Sequence, residues 1–172
     1  IFYYSSDGEV KESFEVNVKK TGNGFSQSVT FPQSDGRTWT LMEDYNNVSK
    51  NVKTPLDGAW KQTKVTYIAP DGTTETNNNP TQFKVFESGN FVWVNTQRDS
   101  ASNRLVSQYG YGTFEMQGND KAVEVNKSST FKTDLVGKPI TLQLAFTGKD
   151  AYRQTIVFEN GSKMIEEYQR LQ

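Results

Sequence analysis

Few side chains in this sequence could do chemistry. There is no cysteine and no histidine, which removes thiolate nucleophiles, imidazole bases and the usual ligands of zinc, copper and haem. Catalysis would have to come from carboxylates, tyrosines, lysines or hydroxyls. The obvious carboxylate pair, Glu166 and Glu167, lies in a run of strand character, where neighbouring side chains point to opposite faces, so the two cannot act on one substrate. Glu115 and Glu124 stand alone, and an acid–base pair would have to be assembled from distant strands. Gly110 and Gly112, interleaved with Tyr109 and Tyr111, resemble a phosphate loop only superficially: no helix follows and no Lys-Ser or Lys-Thr pair completes the motif. Within a strand such glycines mark a bulge or a bend. Asp71, Asp99 and Asp150 sit in turn-rich segments without the oxygen spacing of a calcium loop. Asn47-Val48-Ser49, Asn126-Lys127-Ser128 and Asn160-Gly161-Ser162 fit the glycosylation triplet, which an asparagine-rich chain produces by chance. The expectation is a protein with no catalytic residues, no metal and no cofactor.

The elements that must position the remaining groups are strands. At 172 residues, 34% hydrophobic and 13% aromatic, the chain suffices for one domain, or one domain and a fragment. Such a chain buries about 70% of its unfolded surface. Nineteen basic residues balance twenty acidic ones and form no basic cluster, so no nucleic-acid partner is expected. No apolar run approaches the roughly 18 residues of a membrane-spanning helix. The sequence begins at Ile1 without methionine, from which removal of an export signal or a larger N-terminal piece is expected. Helical periodicity is nearly absent, whereas short runs of period-2 alternation recur between Gly, Asn, Asp and Pro punctuation. From Asp57 the expected strands are Trp60 to Ile68, Thr81 to Phe86, Phe91 to Thr96, Val106 to Met116, Ala122 to Asn126, Thr141 to Thr147, Arg153 to Phe158 and Lys163 to Gln169. Asp71-Gly72, Ser88-Gly89, Gln117-Gly118 and Asn160-Gly161 supply hairpin turns between them. Sequential hairpins predict an all-β, eight-stranded, antiparallel up-and-down barrel over residues 57–172, whose closure removes both sheet edges. The polar stretches Asp71 to Pro80 and Gln97 to Leu105 are expected to frame one mouth.

Residues 1–50 form a separate segment, with expected strands at Ile1 to Tyr4, Ser13 to Lys19, Gln27 to Phe31 and Thr38 to Asp44, followed by a linker over 51–56. Thr21-Gly22, Gln27, Phe31, Gly36, Glu43 and Tyr45 follow the order of Thr147-Gly148, Gln154, Phe158, Gly161, Glu166 and Tyr168. Duplication and convergent hairpin composition both account for this. Under duplication the segment is a partial sheet, the C-terminal half of a second barrel. Its open edges would then pair with a second copy in a homodimer, with a missing fragment, or with the intact barrel.

Four segments agree in order with a known pattern: Leu56-Asp57-Gly58-Ala59-Trp60-Lys61; Thr81 to Phe86 with Ser88-Gly89-Asn90-Phe91-Val92-Trp93; Tyr109 to Phe114; and Gly161 to Arg170. Together they resemble the lipocalin-like (calycin superfamily) domains of secreted bacterial envelope proteins of unknown function, over residues 56–172. The resemblance implies an eight-stranded barrel, a secreted, periplasmic or cell-surface setting in a Gram-negative bacterium, and a small apolar ligand or none known. The extra N-terminal segment lies outside that pattern. Trp60 on the first strand and Arg170 at the end of the last are expected to close the barrel floor, the guanidinium over the indole contributing about 0.5–2 kcal/mol. Phe83, Phe91, Trp93, Tyr109, Tyr111, Phe114, Leu142, Leu144 and Phe146 are the aromatic and aliphatic stock of the interior. A barrel of this size is either filled by side chains or holds one small ligand. Tyr67, Phe91, Trp93, Tyr109 and Tyr111 are expected to line the mouth, subject to strand parity, which a single bulge reverses. The expected function is a module binding a small apolar or amphipathic molecule, or an interaction module with a filled barrel that acts through rim loops or sheet edges.

Overall fold

In a computed structural model the protein is described over residues 2–4, 10–48, 52–100 and 103–171. The chain divides into two compact units, Ile1–Val48 and Ser49–Gln172. In the first, β1 (Phe2–Tyr4) and β2 (Val10–Ser13) form an antiparallel pair, and β3 (Asn17–Thr21), β4 (Gly24–Pro32) and β5 (Thr38–Asn46) form an antiparallel meander. The strand expected over Ser13 to Lys19 is therefore two elements. Its alternation runs on without a break, but β2 pairs with β1 and β3 pairs with β4, and a change of partner leaves no mark on periodicity. Stacked cross-strand pairs tie β4 to β5, Phe25 on Tyr45 at 4.8 Å and Phe31 on Trp39 at 4.5 Å between ring centroids.

The second unit is the barrel. Its strands are β6 (Gly58–Ile68), β7 (Thr74–Asn77), β8 (Gln82–Glu87), β9 (Asn90–Arg98), β10 (Leu105–Met116), β11 (Lys121–Ser129), β12 (Pro139–Thr147), β13 (Ala151–Val157) and β14 (Lys163–Arg170). From β8 to β14 each strand lies antiparallel to the next, and β14 pairs back onto β6, closing a ring of eight. The ninth strand, β7, lies outside the ring. β8 covers only Gly58 to Lys61 of the long β6, and β7 takes the edge left free at Val65 to Ile68. That explains why the Asp71 to Pro80 stretch, expected as a polar loop, contains a hairpin arm: its backbone donors and acceptors have an open edge to satisfy. The second expected loop shrinks to residues 99–104, because β9 and β10 pair as far as Arg98 and Leu105. A single 3-10 turn at Thr133–Leu135 lies in the connection from β11 to β12.

The connections at one end, residues 69–81, 130–138 and 158–162, with residues 99–100 and 103–104 of the turn from β9 to β10, form the mouth. The opposite end is the floor, and the core sits on it: Trp60, Phe86, Phe91, Phe114, Leu142 and Tyr152 are all buried. Each such side chain contributes about 1.5–3 kcal/mol through burial. The Tyr152 ring meets Trp60 edge-on at 4.7 Å and stacks on Tyr168 at 4.9 Å. Inward and outward positions do not follow hydrophobicity everywhere. Phe83, expected inside, faces out and is 38% exposed, while its neighbours Gln82 and Lys84 face in.

Candidate functional site

The barrel interior is built in three levels, each set by the inward file of residues along the strands. At the floor, Arg170 lies with its guanidinium carbon 4.0 Å from the Trp60 ring centroid and donates to the backbone oxygens of Asp57 (2.6 Å), Pro55 (3.1 Å) and Lys149 (2.9 Å). The Trp60 indole N–H donates to the Leu56 carbonyl at 2.6 Å. Gly58 is required here twice over. Its φ is +129°, and a Cβ would stand 2.2 Å from Arg170 Nη1. The Gly-x-Trp motif thus reflects the room the guanidinium needs.

Above the aromatic floor lies a buried polar layer. Lys84 Nζ is 2.6 Å from Glu124 Oε1, both side chains nearly inaccessible to water, and the ammonium also sits 5.0 Å and 5.1 Å from the Phe86 and Phe91 ring centroids. Burial pushes the Glu124 carboxyl above its ordinary range; Lys84 opposes this, and the charge of Glu166 adds to it. Around Glu166 the donors are amides and a phenol: Gln62 Nε2 and Gln82 Nε2 donate to its Oε1 at 2.5 Å and 3.3 Å, Gln154 Nε2 to its Oε2, and Tyr168 OH to Oε1 at 3.3 Å. Burial drives the Tyr152 and Tyr168 hydroxyls well above the usual phenol range, and the nearby glutamates push the same way. Among the described residues two buried side-chain polar atoms have no hydrogen-bond partner, Tyr152 OH and Gln154 Oε1.

The third level, toward the mouth, is a cavity of about 290 Å³. Its wall is divided. Val65, Ile140, Ile156 and Met164, from the adjoining strands β6 and β12 to β14, make an apolar side; Asn95, Gln97, Gln108, Asn126 and Ser129, from β9 to β11, make a polar one. Trp93 on β9 also lines the cavity, its indole N–H donating to Asn126 Oδ1 at 3.2 Å. Gly110, its partner across the β9–β10 pair, gives the indole room: a Cβ there would lie 2.7 Å from Trp93 Nε1. Gly112 marks a bulge against β11, where a Cβ would fall 2.0 Å from the Val125 carbonyl oxygen. At the rim, Phe131 and Leu135 from the β11–β12 connection and Phe158 lean over the opening, with Lys132 above the Phe131 and Phe158 rings.

Residues 55–172, the span that holds the whole barrel, match the model of a domain of unknown function, DUF4488. The chain belongs to the DUF4488 family. No curated protein gives a match. Among solved structures, a redesigned beta barrel is similar over 69% of this chain and 93% of its own, at 19% identity and a TM-score of 0.39. The lipoprotein BT2262 from Bacteroides thetaiotaomicron is similar over 95% of this chain and 85% of its own, at 14% identity and 0.41. A protein of unknown function from the DUF3598 family of Nostoc punctiforme is similar over 91% of this chain and 65% of its own, at 12% identity and 0.31.

In this DUF4488 barrel the five residues expected at the mouth are scattered. Trp93 lines the cavity. Phe91 faces inward but is buried in the packed floor beneath it. Tyr67 shares the inward face with Met164, its register partner, yet stands at the rim above the cavity wall, 39% exposed. Tyr109 and Tyr111 point to the outer face, at 55% and 52% exposure, beside Val94 and Val92. The error is one of parity: Gln108, Gly110 and Gly112 occupy the inward file of β10. The polar layer of Gln62, Gln82, Lys84, Glu124, Gln154 and Glu166 was not anticipated as a site. Its signal lay in the floor residues, since stepping by two from Arg170 along β14 brings Tyr168, Glu166 and Met164 to the inward face.

Proposed function

We propose that this DUF4488 domain is a lipocalin-like binding barrel, calycin-like in its construction, that takes one small amphipathic molecule into its cavity and does no chemistry on it. The observation that carries the reading is the half-filled interior: an aromatic floor, a buried polar layer, and above them about 290 Å³ walled by hydrocarbon on one side and amides on the other. That space equals the liquid share of about ten waters, or a molecule of about ten non-hydrogen atoms. Micromolar affinity would then require about 0.8 kcal/mol per atom, within the range small ligands reach. The carboxylates support binding over catalysis, because Glu124 is held by Lys84 and Glu166 by amide and phenol donors. An envelope setting goes with this proposal on the strength of the sequence resemblance.

Native mass spectrometry of gently purified protein, and titration of Trp93 fluorescence with phenethyl alcohol, test it. A one-to-one adduct or saturable quenching is expected, and both should be abolished when Met164→Trp fills the cavity. No adduct and no saturable response would refute it.

A second reading has its own observation. Phe83, Val94 and Tyr109 lie side by side across β8, β9 and β10, as do Val85, Val92 and Tyr111, and all six are 38–55% exposed. A contiguous apolar patch of this kind on an outer barrel face is the mark of an interaction surface. Val92→Lys with Val94→Lys should leave thermal stability within about 1 kcal/mol of the parent if the patch serves a partner. A larger loss would assign the patch to the fold.

A further inference from the structure

The binding reading above leaves the chemistry of the ligand's deep end open, and the polar layer speaks to it. Three charged side chains meet the cavity below the rim: Lys84, Glu124 and Glu166. The one cation is engaged, bonded to Glu124 and otherwise facing the Phe86 and Phe91 rings. Glu166 has no ion-pair partner among the described residues, only neutral donors. Those donors fix the amide orientation: Gln154 presents its N–H side to Glu166 Oε2, which turns Gln154 Oε1 away from it. Gln154 lines the cavity and is only 1% exposed, but its Oε1 is buried within the layer, without a hydrogen-bond partner. Glu166 Oε2, which accepts from the same amide, keeps a free lone pair. Glu166 thus offers the cavity a carboxyl acceptor with no ion-pair partner among the described residues. Lys132 does not alter this, since it is exposed at the rim and screened by water.

We infer that the ligand carries a compact, donor-bearing cationic head, a primary ammonium, seated against Glu166 Oε2, with its apolar body along Val65, Ile140, Ile156 and Met164. The proposal rests on the binding reading. Such a head gives Glu166 the ion-pair partner it lacks among the described residues and eases the like-charge pressure that Glu166 puts on Glu124. An anionic head meets the opposite conditions, because the ammonium it would need is already spoken for.

Three probes on one phenethyl body separate the possibilities: phenethylamine, phenethyl alcohol and the slightly larger hydrocinnamate, titrated calorimetrically into the full chain at neutral pH. The amine is expected to bind at least about tenfold more tightly than the alcohol, the scale of a charge-assisted hydrogen bond, and the carboxylate more weakly than either. In Glu166→Gln the amine's advantage over the alcohol should shrink to less than about threefold. Alcohol binding as tight as the amine's, or a carboxylate bound tighter than the alcohol, overturns the cationic head while leaving the binding barrel standing. An advantage that persists undiminished in Glu166→Gln overturns the assignment to Glu166. Binding of none of the three at millimolar concentration removes both proposals. If the variant does not fold, the ranking in the parent protein decides alone.

Discussion

The Lys84–Glu124 pair sets up a stability experiment whose size can be worked out in advance. The two side chains are 5% and 6% exposed with 2.6 Å between Nζ and Oε1, so neither ion has water to fall back on. Lys84→Met keeps a hydrocarbon stem against Phe86 and Phe91 but leaves Glu124 buried with Glu166 as its charged neighbour. Stranding a buried ion costs about 3–5 kcal/mol. Protonation of Glu124 caps that loss. From an ordinary value of 4.5, neutralising a carboxyl at pH 7 costs about 3.4 kcal/mol, and at pH 5 only about 0.7 kcal/mol. Lys84→Met should therefore lose about 3 kcal/mol at pH 7 and under about 1 kcal/mol at pH 5. The sign follows from linkage: the folded variant holds a proton that the unfolded chain releases above its ordinary value, so stability falls as pH rises through that window. Lys84→Met with Glu124→Leu removes both charges and should regain most of the loss. Urea unfolding at the two pH values, followed by tryptophan fluorescence and compared at a common slope, measures each term. A Lys84→Met loss below about 1 kcal/mol at pH 7, or one equal at both pH values, would show that the pair is not desolvated as described.

Three further outcomes follow from neighbouring contacts. Tyr152 and Tyr168 keep their protons in the fold well above 10.0, while the unfolded chain ionises there, so each should lower stability by up to about 1.4 kcal/mol per pH unit above that point. In an alkaline absorbance titration these two of the eight tyrosines should ionise only as the protein unfolds; eight phenols titrating together in the folded state would contradict this. Gly58→Ala puts a Cβ onto Arg170 Nη1 at a backbone angle that L residues avoid, and should cost about 2 kcal/mol or more. An unchanged unfolding midpoint would deny the guanidinium its seat on Trp60. Gly110→Ala presses on the Trp93 indole and should both destabilise by about 1–3 kcal/mol and shift the Trp93 emission, whereas a silent substitution would mean that the ring does not stand in the cavity wall.

How far the site could be read from the sequence depends on which residue anchors strand parity. Turn chemistry and alternation are local properties, and they are sufficient for eight barrel strands with the right order and near-correct ends. Closure by β14 onto β6 follows because an up-and-down ring leaves no other partner for its last strand. Inside and outside are a different matter, because hydrophobicity misleads on β8 to β10, where Phe83, Val92, Val94, Tyr109 and Tyr111 face solvent while Lys84, Asn95, Gln97 and Gln108 face in. The floor contact between Trp60 and Arg170 is the better anchor, since both must point inward to meet. From Arg170 the inward file runs through Tyr168 and Glu166 to Met164, and from Trp60 to Gln62. That file alone brings a carboxylate, a phenol and an amide into the barrel. It fails one step later on β6, where the bulge at Thr63 shifts the register so that Val65 faces Glu166 and Tyr67 faces Met164. A bulge needs both partners to be seen, since the extra residue is defined only by what it fails to oppose. The same holds for Lys84 and Glu124, forty positions apart, whose pairing depends on three intervening strand registers. An ion pair assembled that way has no local spacing to betray it, which is why the charge layer beneath the cavity belongs to the closed ring and to no segment of it.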